Sequence, residues 1–175
     1  MKLCTAWRML MPMKTLLLLR HAKSSWDDPE LDDHDRPLNK RGKRDAPRMG
    51  QLLVEQNLVP DCIVTSTAKR ARKTATLVAE ASSYGSQPIE TPELFHAAPE
   101  SFIEVLRLLP SQIARPLLIG HNPGIEELLG RLTGSDENMA TATLAQIELP
   151  VAAWDDLSLS CAAKLANIWR PRELE

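Results

Sequence analysis

Four side chains of this sequence have the types needed for chemistry on a phosphoryl group: Arg20, His21, Arg70 and His121. Two guanidinium groups near one point repel each other unless an anion lies between them, and their planar forks pair bidentately with phosphate oxygens. A histidine held in that field can attack phosphorus through a ring nitrogen. A second histidine can donate a hydrogen bond to the oxygens as negative charge builds on them. This chemistry requires that the fold bring all four side chains to one place.

The elements that could do so begin with three short apolar runs, which are typical of strands buried on both faces: 15–20, 61–67 and 115–121. The first run ends in Arg20 and His21. The second leads through a Thr-Ser-Thr segment to Arg70, and the third ends in His121. Each predicted strand therefore delivers at least one of the four side chains at or just beyond its carboxyl end.

Helical patterns separate and follow these strands, and they predict four helices: 39–56, 68–81, 99–109 and 122–132. Asn39 is the expected N-cap of the first helix, and Pro47 is expected to kink or restart it. In the tail, 141–150 and 163–171 indicate two further strands, arranged as an edge hairpin. This alternation predicts an α/β fold, a three-layer α/β/α architecture with a mostly parallel central sheet.

Parallel α/β sheets bind ligands beyond the carboxyl ends of their strands, where the next helices begin. The three strand ends would lie on the same rim of the sheet and bring two arginines and two histidines together there. The helices that start after Thr67 and Asn122 would add backbone N–H donors and positive dipole ends. The sequence therefore predicts an anion site at this rim.

The length and composition limit the other possibilities. With 175 residues the chain fits a single domain, which we place at 13–175 behind an N-terminal extension at 1–12. A net charge of −2 gives no reason to expect nucleic acid or membrane as a partner, and no apolar run approaches the roughly 18 residues of a membrane span. Three scattered cysteines, without a CxxC pair, favour a reducing cytoplasm as the location.

Neither a metal nor another cofactor is expected. The HExxH pattern of zinc proteases is missing from the sequence, and the acidic segment 27–35 lacks the glycine and glutamate spacing of a calcium loop. Covalent chemistry on a histidine needs only the side chains named above.

Four segments of the chain also resemble a known family: LLLLRHAKSSWDD, DRPLNKRGKRDA, VTSTAKRARKT and LLIGHNPGIEEL. They are similar to the signatures of the histidine phosphatase superfamily, which has the phosphoglycerate mutase-like fold. They resemble its small branch of SixA-type phosphohistidine phosphatases more closely. The resemblance extends from about residue 15 to residue 171, in the order that the family shows.

The resemblance implies a role for each matching position. His21 would be the nucleophile that becomes phosphorylated, Arg20 and Arg70 would clamp the phosphoryl group, and His121 would be the second histidine of the pocket. Three further residues are expected to contact the substrate: Lys23, Arg36 and Asn122.

Two departures from the larger members of the superfamily stand out. Ala22 replaces the glycine that many members have after the histidine, which is a sterically mild change. The larger members also use an acidic proton donor, and here the segment TPELFHAAPES leaves Glu93, His96 or no residue as that donor. Phosphohistidine needs less acid catalysis than an ester because an imidazole leaves far more readily than an alkoxide.

The expected activity is therefore hydrolysis of a phosphoryl group through a covalent phosphohistidine, with phosphohistidine in a protein as the substrate. One alternative is a phosphatase or mutase that acts on small phosphate esters on the same scaffold. Another is a non-catalytic module that binds phosphate, although such a module has no need of a nucleophile.

Overall fold

The computed structural model describes residues 13–174, so the predicted extension at 1–12 lies outside the described residues. The regular elements follow one another in the order β1 (Lys14–Arg20), α1 (Lys40–Glu55), β2 (Cys62–Ser66), α2 (Lys69–Ala81), β3 (Ile89–Thr91), α3 (Pro99–Arg107), β4 (Pro116–Gly120), α4 (Gly124–Thr133), β5 (Leu144–Leu149) and β6 (Lys164–Trp169). Every predicted helix and strand is present, with ends that differ from the predicted ends by a few residues.

The strands of the described region form one six-stranded sheet in the order β3-β2-β4-β1-β5-β6. The pairs β3–β2, β2–β4 and β4–β1 are parallel, whereas β5 runs antiparallel to β1, and β6 antiparallel to β5. This confirms the mostly parallel sheet and the edge hairpin of the tail. β1 lies inside the sheet, where Leu17 pairs with Leu117 on one side and with Gln146 on the other.

The four leucines of β1 explain why the run is apolar throughout. Leu16 and Leu18 belong to the core that α3 and α4 cover, and Leu17 and Leu19 belong to the core under α1 and α2. All four are fully buried, and each such burial contributes about 1.5–3 kcal/mol to stability. Helices on both faces confirm the three-layer α/β/α architecture.

The first helix begins as predicted, because the Asn39 side chain accepts a hydrogen bond from the Gly42 N–H at 2.9 Å. The helix then runs without a break through Pro47, so the predicted restart there is wrong. Burial of Ala46, Met49 and Leu53 on the face toward the sheet outweighs the one hydrogen bond that Pro47 cannot donate.

The short edge strand β3 had no counterpart in the sequence-based prediction. It pairs in parallel with the end of β2 through Ile89, Glu90 and Thr91.

Among residues 13–174, no helix combines the length and the apolar character that crossing a bilayer requires.

Candidate active site

The carboxyl ends of β1, β2 and β4 meet at one rim of the sheet. His21 follows β1 and donates its backbone N–H to the carbonyl of Gly120, the last residue of β4, at 3.1 Å. His121 follows β4, and the centroids of the two imidazole rings lie 4.9 Å apart. Arg70 reaches the pair from the first turn of α2, and all three side chains are at least nine-tenths buried. The structure therefore brings together the residues that the strand ends were expected to deliver.

His21 is held with one ring nitrogen unprotonated. Its Nδ1 lies 2.8 Å from the carbonyl oxygen of Ala22, a distance at which Nδ1 carries the proton and donates it. Its Nε2 then keeps a lone pair, which accepts a hydrogen bond from Arg70 Nε at 3.3 Å. Burial lowers the pKa of His21 to about 3, and the nearby arginines act in the same direction against the Ala22 hydrogen bond. The ring is consequently neutral at physiological pH, as a nucleophile must be.

The guanidinium of Arg70 has two edges with different partners. The edge formed by Nε and Nη2 faces the histidines, 3.3 Å from His21 Nε2 and 3.4 Å from His121 Nδ1. The outer edge is hydrogen-bonded to Asp33. Nη1 donates to the Asp33 carbonyl, and Nη2 donates to the carboxylate oxygen Oδ2 at 2.8 Å. An oxyanion seated between the rings would therefore meet a guanidinium fork that is already oriented.

His121 is fixed by a hydroxyl that the sequence-based prediction did not assign. Because its Nδ1 accepts from Arg70, its Nε2 carries the proton and donates to Ser66 Oγ at 2.8 Å. Burial lowers the pKa of His121 to about 2, and the charges of neighbouring groups, His21 first, add to this shift. Ser66 ends β2, and parallel pairing with β4 places it beside the histidine.

Arg20 lies on the other side of the site and is anchored by one main-chain group. Its Nη1 donates to the Met139 carbonyl at 2.9 Å, while its Nε is buried and has no hydrogen-bond partner among the described residues. Asn122 donates to the same carbonyl at 3.2 Å and to Glu126 at 3.0 Å. The amide nitrogen of Asn122, which was expected to contact the substrate, therefore has two partners within the protein.

The other two residues expected to contact the substrate, Arg36 and Lys23, lie in the segment between β1 and α1. Arg36 is buried and donates to Ser24 Oγ, the Ser25 carbonyl and Asp33 Oδ1, at 2.7 to 3.1 Å, and its guanidinium carbon lies 3.1 Å from the centre of the Trp26 ring. It holds the loop that follows β1. Within the described region, the hydrogen bonds of Lys23 are those of its main chain, including one accepted from the Asn39 N–H.

The two open candidates for a proton donor differ in position. Glu93 is exposed and accepts a hydrogen bond from the Thr91 hydroxyl. His96 packs against Phe95, and its ring centroid lies 6.3 Å from that of His121. The Nε2 of His96 also lies 3.6 Å from Asp33 Oδ2. Of the two, the structure places His96 beside the pocket histidines.

Asp33 is the charged residue of the site that sequence reasoning missed. Its carboxylate pairs with Arg70 through one oxygen and with Arg36 through the other, both at 2.8 Å. Partial burial acts to raise its pKa, but the hydrogen bonds and charges of both arginines hold it below the ordinary value. The segment 27–35 contains five aspartates and a glutamate, and no local signal distinguishes the one that reaches Arg70. No three His, Cys, Asp or Glu side chains within residues 13–174 are grouped so that they could hold a metal ion.

Gly124 is expected to be essential for the packing of this rim. A Cβ added at Gly124 would lie far inside van der Waals contact with the carbonyl of Ala97, so the segment that carries His96 would have to move. We expect Gly124→Ala to destabilise the protein by about 2 kcal/mol or more, measured by urea denaturation. Gly85→Ala is the matched control, because nothing lies within 4 Å of its added Cβ. Equal stabilities of the two variants would contradict this packing.

The two neutral histidines are expected to make stability depend on pH. The pKa values of His21 and His121, about 3 and about 2, lie below the value near 6.5 of an unfolded histidine. The unfolded state therefore binds more protons between these limits, and stability falls as pH decreases below about 6.5. Each histidine should lower the free energy of unfolding by about 2 kcal/mol when the pH falls from 7 to 5, as measured by urea unfolding. His121→Asn should flatten this dependence, and an unchanged dependence in that variant would contradict the expectation.

Comparison with known proteins relates this chain to one family. Residues 16–96 match the family model described as the histidine phosphatase superfamily, branch 1. The fold is similar to the crystal structure of a protein described as the putative phosphohistidine phosphatase SixA from Agrobacterium tumefaciens, with a TM-score of 0.77 and 27% identity over 91% of this chain and 99% of that one. The matched segment contains Arg20, His21 and Arg70.

Two of the relatives found by sequence differ in how much of this chain they match. An Arabidopsis thaliana protein described as uncharacterized and chloroplastic is 32% identical over 152 residues, which cover 82% of this chain and 70% of that protein. A 2,3-bisphosphoglycerate-dependent phosphoglycerate mutase from an Arthrobacter strain is 40% identical, but only over 77 residues that make up 43% of this chain and 31% of the mutase.

Proposed function

Because this chain belongs to the SixA-type branch of the histidine phosphatase superfamily, we propose that it is a protein phosphohistidine phosphatase. The reaction would pass through a phosphorylated His21. Membership of the superfamily supports phosphatase activity. The observation that carries the proposal is the neutral His21 ring, whose Nε2 faces the oriented fork of Arg70 beside His121.

In the first step, His21 Nε2 attacks the phosphorus of the bound phosphohistidine. The P–N bond of the substrate breaks, and its electron pair returns to the nitrogen of the leaving imidazole. The phosphoryl oxygens accept from the Arg70 donors that face the two ring nitrogens, and the unpartnered Nε–H of Arg20 supplies a further donor. His21 Nδ1 keeps its proton and donates it to the Ala22 carbonyl oxygen, which stabilises the positive charge that develops on the phosphorylated ring.

In the second step, the oxygen of a water molecule attacks the phosphorus of phosphorylated His21. The P–Nε2 bond breaks, its electron pair returns to the ring, and the proton of the water passes to the phosphate that leaves. His121 donates its Nε2–H to Ser66 Oγ, so its Nδ1 carries no proton in the free enzyme and must take one up before it can donate a hydrogen bond to the phosphoryl oxygens. Inorganic phosphate and the free enzyme are the products, so the cycle consumes one water molecule and no cofactor.

The substrate class is proposed from the leaving group. An imidazole departs from phosphorus more readily than an alkoxide does, so a site without a dedicated carboxylic acid donor suits phosphohistidine. The similarity to the Agrobacterium protein described as a putative phosphohistidine phosphatase supports the same choice. The cytoplasm remains a prediction from the cysteine pattern.

The second candidate is a phosphatase or mutase of small phosphate esters. The local match to a phosphoglycerate mutase favours it, as does His96, which lies near the pocket histidines and could supply a proton to an ester oxygen. The non-catalytic phosphate-binding module remains the third possibility.

A substrate panel tests these proposals. The purified full chain is offered a phosphohistidine peptide, 3-phosphoglycerate and 4-nitrophenyl phosphate side by side, and released phosphate is measured. We expect kcat/KM to be highest for the phosphohistidine peptide. A higher value for phosphoglycerate would establish the second candidate in its place, and no turnover of any substrate together with tight binding of tungstate would point to a binding module.

A further inference from the structure

The loop after β1 contributes an acid to the mouth of the site. Asp33 holds the outer edge of the Arg70 guanidinium, yet 42% of its side chain is exposed to solvent. We propose that Asp33 is a specificity-determining residue that favours a phosphoryl group leaving from a protonated imidazole over one leaving from an ester oxygen. The proposal rests on the proposed function, and it names the feature of the leaving group that this site recognises.

The direction of the reaction places the leaving group near Asp33. A phosphoryl group attacked by His21 Nε2 expels its leaving group on the side opposite that nitrogen, toward the open part of the pocket. His21, His121 and Arg70 are buried, whereas Asp33 and His96 are partly exposed and lie within 3.6 Å of each other. These two side chains therefore border the space that the leaving group must enter.

The carboxylate of Asp33 has capacity for another donor. Its Oδ1 accepts one hydrogen bond from Arg36 and its Oδ2 one from Arg70. A carboxylate offers about four lone-pair sites, so at least one on the exposed side can accept an N–H from a substrate. A hydrogen bond to a charged group is worth about 1.5–3 kcal/mol, or roughly ten- to a hundredfold in rate when it is made in the transition state.

The two kinds of leaving group respond oppositely to this carboxylate. A phosphohistidine ring that is protonated on its distal nitrogen can donate that N–H to Asp33. When the P–N bond breaks, the electron pair stays on the nitrogen that leaves, and neutral imidazole departs with its distal proton still in place. An ester places growing negative charge on its oxygen in the same space, where the carboxylate repels it.

The test compares two substrates on one variant. Asp33→Asn keeps the shape of the side chain and an oxygen for Arg70 but removes the charge. We expect the ratio of kcat/KM for a phosphohistidine peptide to kcat/KM for 4-nitrophenyl phosphate to fall about tenfold or more. Asp35→Asn is the matched control, since its exposed carboxylate pairs only with His34 among the described residues, and it should leave the ratio unchanged. Both substrates are measured on one preparation, so any loss of folded protein cancels in the ratio.

Two results would overturn the proposed role of Asp33, and a third would overturn the proposed function itself. If Asp33→Asn lowers both activities by the same factor, Asp33 only orients Arg70, and the proposal fails while the phosphohistidine substrate stands. A ratio that rises would show that the carboxylate opposes the imidazole, which also overturns it. If the wild-type protein does not act on the phosphohistidine peptide, the proposed function itself is wrong and this inference falls with it.

Discussion

Replacing His21 with alanine is expected to lower kcat by on the order of 10⁴-fold or more, because the variant has no atom that can accept the phosphoryl group. In the wild-type protein, quenching during turnover should trap a species heavier by one phosphoryl group, and digestion should locate that group on His21. The variant should show neither the trapped species nor a burst of the first product.

The size of this effect must be separated from damage to the fold. His21 is buried, so His21→Asn is the companion variant that preserves most of the volume and an Nδ-like donor for the Ala22 carbonyl. We expect it to be as inactive as His21→Ala while unfolding at nearly the wild-type urea concentration. Full activity in either variant would show that the nucleophile is a different residue.

The second large effect is expected at Arg70. Arg70→Ala removes both donors that face the histidines, and the loss of one such preorganised donor typically costs 10² to 10³ in rate. We therefore expect kcat/KM to fall roughly 10³-fold and the affinity for tungstate, a phosphate analogue, to fall in parallel. Arg72→Ala is the matched control on the same helix, because Arg72 is half exposed and pairs with Glu90 at 3.6 Å.

Arg70→Lys separates charge from geometry. A lysine keeps the positive charge near Asp33 but cannot reproduce a fork with one edge toward the histidines and the other toward the acid. We expect Arg70→Lys to be more stable than Arg70→Ala, because Asp33 again has a second cationic partner beside Arg36. The catalytic rate should recover little. A lysine variant with near-wild-type turnover would show that Arg70 supplies charge alone.

The sequence predicted the interior of the fold because burial on both faces leaves a strong pattern. The leucines of β1 and the apolar runs that became β2 and β4 could hardly form anything but internal strands, and their polar ends gave Arg20, His21 and His121. The three-layer arrangement then followed from the alternation of elements. These predictions rested on periodicity and on position along the chain, which a sequence states directly.

What could not be predicted depends on contacts between distant segments. β3 has three residues and an exposed pattern at the edge of the sheet, so its sequence shows little hydrophobic signal. Asp33 meets Arg70 across 37 positions of the chain, and its acidic neighbours have the same local chemistry. The partner of His121, Ser66, likewise becomes visible only when β2 and β4 pair. Side chains that orient the reacting groups therefore needed the structure, whereas the reacting groups themselves did not.

The position of β1 within the sheet also determines when the molecule can be completed during synthesis. β1 leaves the ribosome first, but both of its neighbours come late: β4, which pairs through Leu117, and β5, which pairs through Gln146. Its four leucines therefore lack their final partners until β4 and β5 have been synthesised. Such long-range pairing slows folding and prolongs the exposure of apolar surface. The strand that leads to the proposed nucleophile, His21, is thus also a segment of the nascent chain whose exposed apolar surface favours aggregation.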